Sequence, residues 1–444
     1  MIRSEEIAAV RAEVAQRLSS PADPADDTDI RGFTPPGDPE RVMARHVIAD
    51  ILEEQARQAI LAGQPVRSPE DEDALAQAVY DALFGLGSLQ RWLDDPDVTD
   101  VHVQGCDTVF VVRGDGTKEQ VDPVAGSDDE LVELIRMAAA RMGRSERRFD
   151  VGNPELNLQL PDGSRLFAVM GVSARPSLAI RRHRFPKVFL SDLVGLGALD
   201  ETLADFLSAA VRARKNIVVA GGTGMGKTTL LRALINEVPP HERLITVEDS
   251  LELGLDRFPE LHPDVVTLEA REANVEGEGA IPLDRLVRMG LRMDPDRVIV
   301  GEVRGDEILP MLNAMSQGND GSMCTVHAHS SEGVFRKLAM YAMQTPQRLP
   351  LEATNLLVAN ALDFVVHLGC DAGGDRRRSR YVTSVREVVD ADGAVVTSNE
   401  VFRPGPDGRA IPGVPMRTTT LRDLLDAGLD DERFHLHATP GGWR

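Results

Sequence analysis

Asn216–Thr229 reads NIVVAGGTGMGKTT. The apolar run Ile217-Val218-Val219-Ala220 has the length and β-branched content of a buried strand. Gly221, then the stretch to Gly226, Lys227 and Thr228 satisfy the phosphate-binding loop pattern in full. Leu230, Leu231, Leu234 and Ile235 follow at helical spacing, so the loop joins a strand to a helix, as the pattern requires. Glycines let the backbone turn its N–H groups inward around phosphate oxygens, and the helix start adds its positive dipole end. Gly221, Gly222, Thr223, Gly224, Met225, Gly226 and Thr229 are therefore expected to line the nucleotide with Lys227, which reaches the β- and γ-phosphates. The Thr228 hydroxyl is the expected Mg²⁺ ligand.

At 444 residues the chain has room for about three domains. No uninterrupted apolar stretch approaches the ~20 residues of a transmembrane helix. MIRSEEIAAVRAEVAQ has acidic residues where a signal peptide needs an apolar core, so a cytoplasmic location is expected. Cys106, Cys324 and Cys370 are far apart and give neither a disulfide framework nor a metal-ligand spacing. A formal charge of −22 argues against broad, sequence-independent nucleic-acid binding.

Ile7, Val10, Val14 and Leu18 share a helical face, and a second amphipathic helix is expected over about 39–62. Between them, from about 20 to 38, a Pro- and Asp-rich stretch without apolar periodicity reads as a linker. Residues 1–66 are thus a helical appendage, either a docking element or padding for the next domain. Residues 67–186 read as a compact α+β domain, with strands in VTDVHVQG and TVFVVRG, a capping box at Ser127–Glu130 and a hairpin turning at Pro161-Asp162-Gly163. Arg141, Arg144, Arg147, Arg148, Arg165, Arg175, Arg181, Arg182 and Arg184 crowd its edges. A solvated basic face accounts for most of them, while Arg165, beside a tight turn, is the candidate for facing a triphosphate.

Residues 187–400 carry the nucleotide core. LITVEDSLELGL, 244–255, is a strand ending in Glu248, Asp249 and Glu252. Carboxylates there suit the ligand edge of an open α/β sheet, whereas Glu252 fits a solvated turn equally well. RVIVGEVRGDE, 297–307, gives a further buried strand closing on Glu302, which is the Walker B arrangement for holding Mg²⁺ through water or polarising the attacking water. Met323–Val326 is a strand delivering His327 to the same edge, as a structural histidine or a γ-phosphate sensor; His329 reads as structural. RRRSR at 376–380 reads as a basic surface turn, and two edge strands follow around Asp392-Gly393. Residues 401–444 form a Pro/Gly-rich tail with a short helix and no assigned chemistry.

GGTGMGKTT, ITVEDSLEL, RMDPDRVIVGEVRGDE and DGSMCTVHA, in that order, resemble the type II/IV secretion ATPase superfamily, most closely the CpaF-type branch that powers Tad-type pilus assembly. LFGLGSLQRWLDDPDVTDVHVQG and LPDGSR look like that branch's N-terminal domain, so the resemblance spans about 70 to 400. It implies an α/β fold with a RecA-like P-loop NTPase core, a smaller N-terminal α+β domain, and a homo-hexameric ring of ATP-hydrolysing subunits. Such a ring works at the inner face of the plasma membrane on a membrane-embedded platform protein. The implied roles are Lys227 and Thr228 on phosphate and Mg²⁺, Glu302 as the Walker B glutamate and Glu248 as activator of water, with Asp249 as fallback. His327 is the implied sensor, and Arg165 with Arg181 a phosphate contact. Two departures stand out: Asn157-Leu158-Gln159 replaces Asp-Ala-Arg, and Gln317-Gly318-Asn319 replaces Thr-Gly-His. A type IV secretion or conjugation ATPase moving effectors or DNA is the alternative within the superfamily. A non-hydrolysing nucleotide-gated scaffold is the alternative outside it.

Overall fold

A computed structural model describes residues 4–19, 39–142, 148–182, 187–271, 273, 278–371 and 379–430. The proposed linker at 20–38, Arg144, Arg147, Arg184, residues 376–378 of the basic cluster, parts of the Glu/Gly-rich 269–281 loop and the end of the tail lie outside them. The chain divides into two units, Met1–Arg184 and Phe185–Arg444.

In the first unit, α1 (Ser4–Ser19), α2 (Pro39–Leu61) and α3 (Pro69–Phe84) pack together. Their apolar stripes meet in a core of Val10, Val14, Ile48, Ile51, Leu52, Leu75, Val79 and Leu83. Ser68 fixes the start of α3 by accepting the Asp71 N–H at 3.1 Å. A short helix, α4 (Gln90–Asp94), then leads to β1 (Val98–Gln104), β2 (Thr108–Arg113), β3 (Lys118–Val121), α5 (Asp128–Met142), β4 (Glu155–Gln159), β5 (Arg165–Val169) and β6 (Ser177–Arg181). Among the described residues these strands form an antiparallel sheet in the order β3-β2-β1-β6-β5-β4. Alternate residues (Val101, Val103, Val109, Val111, Leu166, Leu178 and Ile180) turn inward onto Leu131, Ile135 and Ala139 of α5. Strand β6, which the sequence did not announce, inserts between β1 and β5.

The second unit begins with α6 (Leu190–Gly195) and α7 (Glu201–Arg212). There follow β7 (Ile217–Gly221), α8 (Lys227–Ile235), β8 (Leu244–Glu248), β9 (Val265–Glu269), α9 (Leu283–Gly290), β10 (Arg297–Val303), α10 (Ile308–Ser316) and β11 (Met323–His327). Helices α11 (Gly333–Gln344) and α12 (Leu351–Ala361) precede β12 (Phe364–Cys370), β13 (Arg380–Asp392), β14 (Val395–Pro404), β15 (Ala410–Pro412) and α13 (Thr418–Asp426). The strand order is β15-β14-β13-β12-β7-β11-β10-β8-β9. From β12 to β9 neighbouring strands are parallel, and the β12–β15 end is antiparallel.

Helices cover both faces of the parallel part. Ile217 and Val219 of β7 join the core built with α7 and α8, while Val218 and Ala220 join that built with α9 to α12. Burial on both faces explains the continuous apolar runs of β7, β8 and β10. The phosphate-loop strand β7 is separated from β10 by β11, which is the RecA-like α/β arrangement. The Asp392-Gly393 hairpin forms as expected, with Gly393 at φ 56°, but β13 is interior because β14 and β15 extend the sheet beyond it. Segment 351–368 is a helix followed by a strand, since β12 is needed to cover the free side of β7. Among the described residues no helix is long and apolar enough to cross a membrane.

Candidate functional site

Strand β7 is anchored at its start by Asn216. The buried amide donates to the carbonyls of Met315 and Ala361, both at 2.8 Å. Its oxygen accepts from Gly321 and Ser322 N–H at 2.9 and 3.0 Å, so one side chain ties the beginnings of β7, β11 and β12 together. At the other end, Gly221 passes so close to β12 that an added Cβ would lie 3.0 Å from the Leu368 carbonyl oxygen. Gly224 and Gly226 are left-handed, with φ of 73° and 87°, and Gly226 precedes the first residue of α8. These turns shape the loop, with Thr223 and Gly224 exposed and Lys227 buried. Thr228 and Thr229, half-buried, occupy the first turn of α8.

Lys227, His327 and Glu302 form a chain. The Lys227 ammonium lies 3.1 Å from His327 Nδ1 and donates to the Gly222 carbonyl at 3.2 Å. On the other side of the ring, His327 Nε2 is 2.6 Å from Glu302 Oε1. The tautomer with its proton on Nε2 fits both contacts, accepting from lysine and donating to glutamate. Burial holds both Lys227 and His327 below their usual pKa; the lysine lowers the imidazole further while Glu302 pulls each the other way.

Glu302 owes its direction to a break in the sheet. The pairing of β10 with β11 shifts between Val300 and Val303, and the Gly301 carbonyl at that break accepts the Thr325 hydroxyl at 2.7 Å. Such a bulge re-aims a side chain. Gly301 also makes room for Glu248, because an added Cβ would lie 3.0 Å from the Glu248 Cγ. A glycine inside a strand pattern is the sequence signal for both features, but the roles of Gly301 and Thr325 were not read from it.

Glu248 is 2% exposed. Its Oε2 accepts the N–H groups of Glu252 and Leu253 at 2.7 and 2.9 Å, and among the described residues its Oε1 has no hydrogen-bond partner. Burial pushes its pKa up to about 8, overriding the two N–H donors. Asp249, by contrast, is ion-paired with Arg304 at 2.5 Å. Glu252 is half-buried and contributes its carbonyl to the Arg232 guanidinium. A glutamate that ionises near 4.5 when unfolded and near 8 when folded gives stability that is complete below the lower value and is lost as pH rises through the higher one. The melting temperature is therefore expected to fall from about pH 5 to pH 8.5, and Glu248→Gln to flatten part of that slope. An unchanged slope in the variant would mean that Glu248 ionises as an ordinary carboxylate.

Arg165 and Arg181 belong to the first unit. They face each other across β5 and β6, with Gln159 next to Arg165 and Asp100 next to Arg181 in the same row. Arg175 is committed elsewhere, to Asp128 at 2.6 Å and Asp107 at 2.7 Å, and it holds the Asp128 carboxyl well below the usual carboxylate range. Arg182 donates to the backbone of Asp95 and Val98. These two arginines therefore staple the sheet.

The fold and loop define a RecA-like phosphate-loop protein. The chain belongs to the Type II/IV secretion system protein family, whose model matches residues 83–396. It is 36% identical over 319 residues to a protein of Mycobacterium tuberculosis named for conjugal transfer, covering 69% of this chain and 87% of that one. It is 33% identical over 326 residues to the type IV secretion system protein VirB11 of Brucella suis biovar 1, covering 67% and 88%. The crystal structure of the VirB11 ATPase from the Brucella suis type IV secretion system, in complex with sulphate, matches 71% of this chain and 96% of its own, at 30% identity and a TM-score of 0.36.

Proposed function

We propose that this protein is an ATP-hydrolysing motor of a type IV secretion or conjugation machine, working as a homo-hexameric ring on a membrane-embedded platform. The Lys227–His327–Glu302 chain, with Glu248 buried beside it, carries the proposal, because it gathers a phosphate cation, a sensor and two carboxylates at one strand edge. The relatives named for conjugal transfer and type IV secretion favour this branch. The CpaF-type, pilus-assembling reading rests on ITVEDSLEL and DGSMCTVHA together with LFGLGSLQRWLDDPDVTDVHVQG, and is the second reading. Transported effectors or DNA would be handled through the assembled machine, at the inner face of the plasma membrane. Residues 67–186 and 187–400 are proposed as the two working domains, with 1–66 and 401–444 as appendage and tail.

In this reading Gly221 to Thr229 wrap the phosphates, and Lys227 leaves the Gly222 carbonyl to reach them. Thr228 and Glu302 are the oxygen donors that suit Mg²⁺, a hard cation which usually keeps several waters and phosphate oxygens besides one or two protein ligands. When bound, that ion neutralises charge on the β- and γ-phosphates. His327, freed from lysine, reports the γ-phosphate to Glu302. Glu248, once ionised, takes the proton of the attacking water, as general bases do when burial has brought their pKa near the working pH. Arg165 and Arg181 are proposed phosphate contacts.

Phosphate release from the purified full chain tests the proposal. Turnover of Mg-ATP is expected, and EDTA is expected to stop it. Tight ATP binding without phosphate release would replace the motor with a nucleotide-gated scaffold.

A further inference from the structure

The sheet register places one arginine at the phosphate loop that the motor reading leaves unused. Strand β12 runs parallel to β7 with Leu368 beside Gly221, so Gly369 and Cys370 extend past the level where the loop begins. Cys370 in turn pairs with Arg380, the first residue of β13. Arg380 thus starts its strand at the carboxyl edge of the parallel strands, where ligands of such sheets bind.

The side chain goes to the loop itself. Its Cδ lies 3.6 Å from where a Cβ on Gly226 would be, so the stem packs over the glycine that opens α8. Arg380 is exposed, and among the described residues its guanidinium has no ion pair or hydrogen bond. Arg386 of the same strand, by contrast, is matched with Glu400 at 3.3 Å. The backbone around Arg380 is held on both sides. Arg409 donates to the Ser379 hydroxyl at 3.1 Å and stacks 4.6 Å over the Tyr381 ring. A guanidinium without a partner among the described residues, on a stem packed over a helix start that collects N–H groups, suits an anion.

Which part of the nucleotide it meets follows from the two flanks of β7. Lys227 leans toward β11 and its His327, on the side of Glu302. Arg380 comes from the β12–β13 side. The γ-phosphate belongs with the carboxylates, which leaves the other flank to the α-phosphate and nucleoside end.

We propose that Arg380 is a nucleotide-binding residue, supplied by the same subunit as the loop, that holds the α-phosphate end of ATP and ADP alike. The inference rests on the reading of Gly221–Thr229 as a nucleotide loop. Calorimetric titration of the full chain with ADP and with a non-hydrolysable ATP analogue tests it. Arg380→Met keeps the stem over Gly226 and removes the charge; Arg380→Gln serves if Arg380→Met does not fold. Both affinities are expected to fall together, by about 5- to 30-fold, the range for loss of an exposed charge-assisted contact. The defect is expected to shrink as salt is raised, and the ligand-free melting temperature to stay unchanged, which a merely structural role would not produce. Affinities within twofold of the parent, or a loss confined to the ATP analogue, would overturn the assignment while the loop reading stands. A parent chain that binds neither nucleotide would sink the loop reading, and this inference with it.

Discussion

Lys227→Ala is expected to abolish ATP turnover while leaving the fold intact. The ammonium is the one cation that the loop holds against both the Gly222 carbonyl and the His327–Glu302 pair. Losing a single preorganised charge donor of this kind costs about 10²–10³ in rate, and the accompanying loss of phosphate affinity adds to that. The helix should survive, because Leu230, Leu231, Leu234 and Ile235 supply its buried face and none of them changes. Phosphate release, with circular dichroism and thermal melting as controls, checks both halves. Turnover at the parent rate would remove Gly221–Thr229 from the active site.

Arg165→Ala is the second large effect. If this arginine neutralises charge in the transition state, its removal should lower turnover by roughly 10³–10⁵-fold. Its placement opposite Arg181 puts two like charges directly across a strand pair, an arrangement that is destabilising by itself. Alanine should preserve the sheet, since the inward side chains of β5 are Leu166 and Ala168. A loss below tenfold would move the role to another arginine, with Arg181 the first to test by the same assay.

Much of this was legible from local pattern. The strand–loop–helix spacing around Lys227, the apolar strand closing on Glu302 and the strand delivering His327 each announce themselves within a dozen residues, and the structure brings Lys227, His327 and Glu302 into one chain. What was hidden depends on long-range pairing. The depth at which Glu248 is buried follows from Gly301, 53 residues downstream (301 − 248), lacking a side chain. Arg380 lies in a stretch whose composition reads as a solvated turn, and only the β12–β13 register carries it to Gly226. Strand β6 is short and alternating, and it gains its identity from neighbours on both sides. The comparisons carry the family but not the CpaF-type branch.

The imidazole bridge has a consequence for ligand capture. The three groups answer one another's charge: ammonium to ring nitrogen, ring to carboxylate. An anion that takes up Lys227 in the proposed reading therefore competes with an internal partner. In the proposed motor, the strength with which His327 holds its neighbours is subtracted from nucleotide affinity.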